Sequence, residues 1–151
     1  MEKAVLDTNI LLLLARDQNF RAFFGEKYAH ANWQLLVPFA TDAEISSLAF
    51  RRQWGTEKLH ILQQTIAQFV IIDTVCASMK KAYTEIEAYT LCQHPTRPKP
   101  DGQTAHRMGK NDLWIAATTA VYAQRLITTD KDFLQLDGVF FAVDYIDIAH
   151  F

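Results

Sequence analysis

The stretch Val5-Leu6-Asp7-Thr8-Asn9 decides the fold, because a short apolar run ends there in a carboxylate and two polar side chains. Four more short apolar runs follow along the chain, with longer amphipathic segments between them. Each run is brief and mostly β-branched or aromatic, which is typical of a strand buried on both faces. The predicted strands are Lys3–Leu6, Gln34–Val37, Phe69–Ile72, Leu126–Thr128 and Val139–Val143.

The segments between these runs predict helices, and strands that alternate with helices predict a parallel sheet covered on both faces. We therefore expect an α/β fold in which residues 1–151 form a single three-layer domain, with a central parallel sheet flanked by helices. Functional sites of such sheets lie at the carboxyl edge of the strands. The predicted helices are Asn9–Ala15, Asn19–Ala31, Asp42–Trp54, Thr56–Gln68, Cys76–Leu91 and Asn111–Gln124.

The composition is that of a globular protein. Of the 151 residues, 50% are hydrophobic and 21% are charged, which excludes a disordered or fibrous chain. The net charge of −2 does not point to nucleic acid, but the balance turns slightly positive if four of the acids bind cations. With only two cysteines, no signal-like start and no apolar run near 18 residues, we expect a cytoplasmic protein without membrane contact.

The segment His94–Lys110 does not fit the alternation of strands and helices. It contains three of the four prolines and lacks apolar periodicity, so we expect a long loop that returns the chain to the carboxyl edge of the sheet. The loop is also basic, and its cations are candidate ligands for the phosphate groups of a substrate. The alternative is a solvated surface excursion. The four cations are Arg97, Lys99, Arg107 and Lys110.

Two acidic residues follow predicted strands, where α/β enzymes often keep catalytic carboxylates. Asp7 ends the first strand, although Asp, Thr and Asn at this point also suit a helix N-cap. Asp130 follows the strand Leu126–Thr128, and its alternative is a turn or cap. Asp132 competes for whatever role Asp130 has.

Two further acids open predicted helices. Glu44 ends the stretch Thr41-Asp42-Ala43-Glu44, which also matches a capping box. Asp112 lies in Lys110-Asn111-Asp112, where a negative charge would favour the start of a helix. All four acids can converge at one edge of the sheet, where their repulsion calls for a neutralising cation. Such oxygen ligands suit Mg²⁺ or Mn²⁺, and the chemistry that they support is metal-assisted phosphodiester hydrolysis.

In four stretches the chain resembles the PIN-domain family, and within it the VapC-type toxin ribonucleases. The stretches are Leu6-Asp7-Thr8-Asn9, Thr41-Asp42-Ala43-Glu44-Ile45, Asn111-Asp112-Leu113-Trp114-Ile115-Ala116-Ala117 and Thr128-Thr129-Asp130-Lys131-Asp132-Phe133. The resemblance implies an endoribonuclease that depends on Mg²⁺ or Mn²⁺, leaves a 3′-hydroxyl and a 5′-phosphate, and is inhibited by a small antitoxin protein. We also expect a homodimer.

The same resemblance assigns roles to individual residues. It implies that the metal-binding acids are Asp7, Glu44, Asp112 and Asp130. Thr8 or Asn9 would supply a polar contact beside the first acid, and Asp132 would share or replace the role of Asp130.

Three other functions stay open on the sequence. The chain could be a non-toxin PIN nuclease of RNA processing, or an inactive PIN domain that serves as a scaffold. It could also be a signalling or binding module with an acidic pocket, such as a receiver-like domain. A receiver needs two adjacent acids after the first strand, whereas this chain has Asp7 alone there, followed by Thr8 and Asn9.

Overall fold

A five-stranded parallel sheet forms the centre of the computed structural model, which describes residues 1–29 and 32–151. The predicted α/β class is confirmed, because every pair of neighbouring strands is parallel. The strands are β1 (Glu2–Leu6), β2 (Trp33–Pro38), β3 (Val70–Ile72), β4 (Arg125–Thr128) and β5 (Ala142–Tyr145). Their order across the sheet is β3-β2-β1-β4-β5.

The last strand begins three residues later than the sequence predicted. Residues 138–140 form a turn, in which Gly138 adopts a φ of +72° and its N–H donates to the carbonyl of Phe141 at 2.9 Å. Phe141 is nevertheless buried in the core. An apolar turn of this kind resembles a strand in sequence, which explains why the prediction Val139–Val143 was displaced.

Helices connect the strands, and in the described part of the chain they lie close to the predicted positions. The prediction Asn19–Ala31 is observed as an α-helix followed by a π-helical turn (Gly25–Ala29), and its last two positions, 30 and 31, lie outside the described residues. Within the described ranges, no helix is long and apolar enough to cross a membrane. The helices are α1 (Thr8–Arg16), α2 (Gln18–Phe24), α3 (Phe39–Arg51), α4 (Thr56–Ile66), α5 (Ala77–Thr90) and α6 (Lys110–Tyr122).

The helices form two layers, one on each side of the sheet. Successive strand residues point to opposite faces, so Ala4 and Leu6 of β1 pack into one core cluster while Val5 packs into the other. The first cluster is closed by α1, α2 and α4, and the second by α5 and α6. The expected three-layer arrangement is therefore confirmed.

The sheet has a topological switch point between β1 and β4. From β1 the chain proceeds outwards through β2 and β3, and it then returns to place β4 and β5 on the other side. Ligands of open α/β sheets bind at the carboxyl end of the strands beside such a switch point. Asp7 and Asp130 follow the two strands that border it, and this order differs from the 2-1-3-4-5 order of a receiver-like sheet.

Candidate active site

Asp7 lies at the carboxyl end of β1 and is nearly buried, with 5% of its surface exposed. It is the N-cap of α1, and its Oδ1 accepts a hydrogen bond from the backbone N–H of Thr8 at 2.7 Å. Its Oδ2 accepts a hydrogen bond from the Thr128 hydroxyl at 2.6 Å. The capping role is thus real, but one bond to each oxygen leaves further lone pairs free for a ligand.

Thr128 joins the ends of the two strands at the switch point. Its fully buried hydroxyl donates to Asp7 and accepts a hydrogen bond from the backbone N–H of Asp130 at 3.0 Å. The sequence analysis did not single out this residue, because a buried Thr at the end of a strand looks like an ordinary β-branched core residue. The available signal is its position two residues before Asp130, a spacing at which Thr hydroxyls often bind the backbone.

Glu44 lies in the second turn of α3, and the capping-box interpretation of this residue is wrong. The helix begins at Phe39, directly after β2, so Thr41 is already inside the first turn. The Thr41 hydroxyl is buried and has no hydrogen-bond partner among the residues that the structure describes. Glu44 instead accepts a hydrogen bond through Oε2 from the Thr8 hydroxyl at 2.8 Å. This bond ties α3 to the first residue of α1.

Asp112 lies in the first turn of α6, and Asp130 caps the 3₁₀ segment that follows β4. The Asp130 side chain accepts a hydrogen bond from the backbone N–H of Asp132 at 2.9 Å, so the turn role expected as its alternative is also present. Asp132 points elsewhere, because its Oδ1 lies 3.0 Å from Nε2 of His106. The side chain of Asp132 is partly exposed, with 46% of its surface accessible.

The acids share one electrostatic environment. The pKa of Asp7 is raised to about 6, mainly by burial and to a smaller extent by the carboxylates of Asp130 and Glu44, while its two hydrogen bonds oppose the rise. Burial also raises the pKa of Asp112 to about 7, with added repulsion from Asp7, Asp130, Glu44 and, least strongly, Asp132. Together with the hydrogen bonds of Thr8 and Thr128, these effects bring the four predicted acids near one another, here called the acidic cluster, with the weakest contribution from Asp132.

The donor set fits a hard divalent cation. Every candidate ligand is a carboxylate, and Mg²⁺ binds through one or two carboxylates while it keeps several waters. Within residues 1–29 and 32–151, no three acidic, His or Cys side chains lie close enough together to form a closed metal cage. The carboxylates would therefore bind such a cation in part through its waters. The raised pKa values of Asp7 and Asp112 indicate the negative charge that such an ion would neutralise.

Two of the four loop cations are occupied by contacts within the protein. Arg97 donates to the backbone carbonyl of Val139 at 3.3 Å, and its guanidinium lies 4.7 Å from the centre of the Phe140 ring. Lys99 donates to Oε1 of Gln135 at 2.8 Å and to a loop carbonyl. The structure thus places both side chains against the segment after β4, where they fasten the loop.

Of the other predicted substrate contacts, Asn9, Arg107 and Lys110 are exposed, whereas Thr8 is buried and its hydroxyl is bound to Glu44. Arg107 lies in the loop, whereas Lys110 is the first residue of α6, so the loop ends one residue earlier than predicted. Asn9 lies in the first turn of α1, two residues after Asp7. In the part of the chain that the structure describes, the side chains of Arg107 and Lys110 form no hydrogen bond or ion pair. They remain available to a polyanion.

Comparisons of the sequence with protein families and with curated proteins gave one match. The PIN domain family matches residues 4–139, a span that includes Asp7, Glu44, Asp112, Asp130 and Asp132. No curated protein matches the sequence.

Three solved structures resemble the chain over nearly its whole length. VapBC2 from Rickettsia felis, bound to a DNA fragment from its promoter, has a TM-score of 0.71 at 17% identity, with 96% of this chain and 99% of that chain covered. VapBC-1 from nontypeable Haemophilus influenzae has a TM-score of 0.70 at 21% identity, with 95% and 97% covered. DNA-bound VapBC from Salmonella typhimurium has a TM-score of 0.62 at 15% identity, with 96% and 98% covered. At these sequence identities, the similarity shows a shared fold.

Proposed function

Because the chain belongs to the PIN domain family, we propose that it is a Mg²⁺- or Mn²⁺-dependent endoribonuclease of the VapC type, the toxin of a toxin–antitoxin pair. In this proposal residues 1–151 act as one nuclease domain. The observation that supports it most is the position of the acids: Asp7 and Asp130 follow the two strands at the switch point, where the hydroxyls of Thr128 and Thr8 donate to Asp7 and Glu44. The toxin assignment is supported by the folds of the VapBC structures.

The chemistry that the cation supplies when bound is activation of a water molecule and stabilisation of the leaving oxygen in phosphodiester hydrolysis. In this proposal Asp7, Glu44, Asp112 and Asp130 hold the cation, in part through its bound waters. The bonds from Thr128 and from the Thr8 backbone orient the Asp7 carboxylate, and the Thr8 hydroxyl orients Glu44. Cleavage leaves a 3′-hydroxyl and a 5′-phosphate.

Substitution of Thr128 tests the hydrogen bonds that orient the acids. Thr128→Val keeps the side-chain shape but removes the hydroxyl that bridges Asp7 and Asp130. Loss of a hydrogen bond to a metal-binding residue lowers metal affinity by about 10-fold or more. We therefore expect weaker Mn²⁺ binding by isothermal titration calorimetry, a smaller Mn²⁺-induced rise in Tm and slower RNA cleavage, with recovery in Thr128→Ser.

The matched control for this test is Thr119→Val. Thr119 is also fully buried, but its hydroxyl donates to the carbonyl of Ile115 within α6, away from the acids. The control should bind Mn²⁺ as the wild type does. Wild-type Mn²⁺ affinity in Thr128→Val would contradict the proposed arrangement of ligands.

A groove between α1, α3 and α4 supports the proposal of a protein partner. It encloses about 580 Å³ and is lined by apolar side chains that include Leu12, Leu48 and Ile61. Its rim carries three cations, Arg16, Arg52 and Lys58, against the single acid Glu57. We propose that its occupant is an apolar segment of the antitoxin that carries acidic residues, because such a segment matches both the lining and the charge.

The groove is tested by co-purification with the product of the neighbouring reading frame. Ile61 is 42% exposed, so Ile61→Glu adds a charge to the groove with little effect on the core. We expect this variant to weaken the complex at least about 10-fold by surface plasmon resonance, because a buried unpaired charge opposes binding. Ile148→Glu, at an exposed position outside the groove, is the control. Equal affinity of both variants and the wild type would contradict the proposed docking site. The homodimer stays a prediction.

A further inference from the structure

The loop between α5 and α6 (residues 91–109, here the basic loop) is fastened along its length. Arg97 and Lys99 hold its first half against the segment that follows β4. Gln135, which accepts the bond from Lys99, also donates to the backbone carbonyl of Asp132 at 3.0 Å. The loop cations therefore divide into a pair that holds the loop and a pair, Arg107 and Lys110, whose charges face solvent.

His106 is the point where the second half of the loop is fixed. Its backbone N–H donates to the carbonyl of Thr90, at the end of α5, at 2.8 Å. Its side chain meets Asp132 at 3.0 Å, and since a carboxylate accepts, Nε2 of His106 is the donor. Residue 106 is thus held both by the helix that precedes the loop and by the 3₁₀ segment that Asp130 caps.

The segment from His106 to α6 is anchored at several points, which restricts the positions of Arg107 and Lys110. Met108 is buried in the core cluster shared by α5 and α6, so the chain is anchored again two residues after His106. Arg107 lies between these two anchors, and Lys110 begins the helix whose first turn carries Asp112. Arg107 is therefore fixed between two anchored residues, and Lys110 is fixed two residues before Asp112.

We propose that His106 is a positioning residue for RNA, which through its hydrogen bond to Asp132 holds Arg107 next to Lys110 at the start of α6. This inference rests on the proposed function, because it assumes that the acids cleave RNA. The cations bind phosphate groups of the RNA backbone on either side of the cleaved bond, without reading sequence. In this arrangement Asp132 fixes the loop, and Asp130 is the fourth acid of the acidic cluster.

The test compares His106→Ala with His106→Gln. Alanine removes the bond to Asp132, whereas the glutamine amide can still donate to it. We expect KM for RNA to rise about fivefold in His106→Ala with kcat within twofold, since phosphate contacts contribute to binding of substrate and transition state alike. His106→Gln should recover most of the KM. The Mn²⁺-induced rise in Tm should be the same in both variants as in the wild type.

A second variant tests the cations themselves. Arg107→Gln combined with Lys110→Gln should raise KM at least as much as His106→Ala. It should also reduce the slope of log affinity against log salt by about 1.4, the value for two phosphate contacts on a single strand. The affinity is measured as the Kd of a fluorescently labelled single-stranded RNA in EDTA, so that it does not depend on cleavage.

The control is His150→Ala, which removes another exposed histidine that faces an aspartate, at 4.0 Å from Asp147. Its KM and Kd should equal those of the wild type. Wild-type KM and Kd in His106→Ala would overturn the inference, and so would a lower Tm without any change in binding, which would show a structural role alone. If the wild type binds RNA but does not cleave it with Mn²⁺, the proposed function fails, while the Kd comparison still decides the role of His106.

Discussion

Asp7→Asn should lower the rate of RNA cleavage at least about a hundredfold while the fold is retained. Asparagine keeps the shape of the side chain but removes the charge that would bind the cation. Without the cation, no water molecule is activated to attack the phosphodiester. Because burial raises the pKa of Asp7 to about 6, its ionised form is costly at pH 8 without a cation. In EDTA the variant should therefore melt at the same temperature as the wild type or higher. Steady-state cleavage assays and calorimetry measure the two effects.

Asp17→Asn is the matched control for this experiment. Asp17 also caps a helix, since it accepts a hydrogen bond from the backbone N–H of Phe20 at 3.0 Å, but it belongs to α2 and lies outside the cluster of acids. This variant should cleave RNA as the wild type does. Wild-type cleavage by Asp7→Asn would instead indicate a contaminating nuclease.

Without a divalent cation, the free energy of unfolding should fall as pH rises from about 4 to about 7. The folded protein binds protons on Asp7 and Asp112 with pKa values of about 6 and about 7, whereas the unfolded chain releases them near 3.8. The folded state thus holds more protons within this window, so stability decreases with pH. For Asp7 alone the effect is on the order of 3 kcal/mol at pH 8.

Excess Mn²⁺ should restore this stability at pH 8, because a ligand that binds the folded state at 100 times its Kd adds about 2.7 kcal/mol. Urea unfolding in EDTA at pH 5 and pH 8, and with Mn²⁺ at pH 8, measures both effects. The double variant Asp7→Asn with Asp112→Asn isolates the two carboxyls from other groups that titrate. If the double variant and the wild type show the same dependence of stability on pH in EDTA, the pKa values of Asp7 and Asp112 are not raised as described.

The architecture could be predicted from the sequence because it depends on local patterns. Short apolar runs and amphipathic segments set the strands and helices, and a strand-end carboxylate such as Asp7 is visible from its neighbours alone. Glu44 shows where a local pattern misleads. The stretch from Thr41 to Glu44 matches a capping box, but Pro38 ends β2 directly before α3, and the helix begins two residues before Thr41.

The contacts that arrange the site could not be predicted, because they join distant parts of the chain. Thr128 and Asp7 are 121 residues apart in sequence, and His106 and Asp132 are 26 apart. The loop cations show the same limit. Charge alone did not distinguish Lys99, whose side chain is bound within the protein, from Arg107, whose side chain is exposed.

The most direct test of the central claim is titration of Mn²⁺ into the metal-free protein at pH 7.5 by isothermal calorimetry. The account predicts saturable binding to the wild type and to Asp17→Asn, and its loss in both Asp7→Asn and Asp112→Asn. Asp7 and Asp112 lie on different elements, so loss in both variants would identify one shared site. Equal Mn²⁺ binding by all four proteins, or none by the wild type, would contradict the claim that these carboxylates hold the cation.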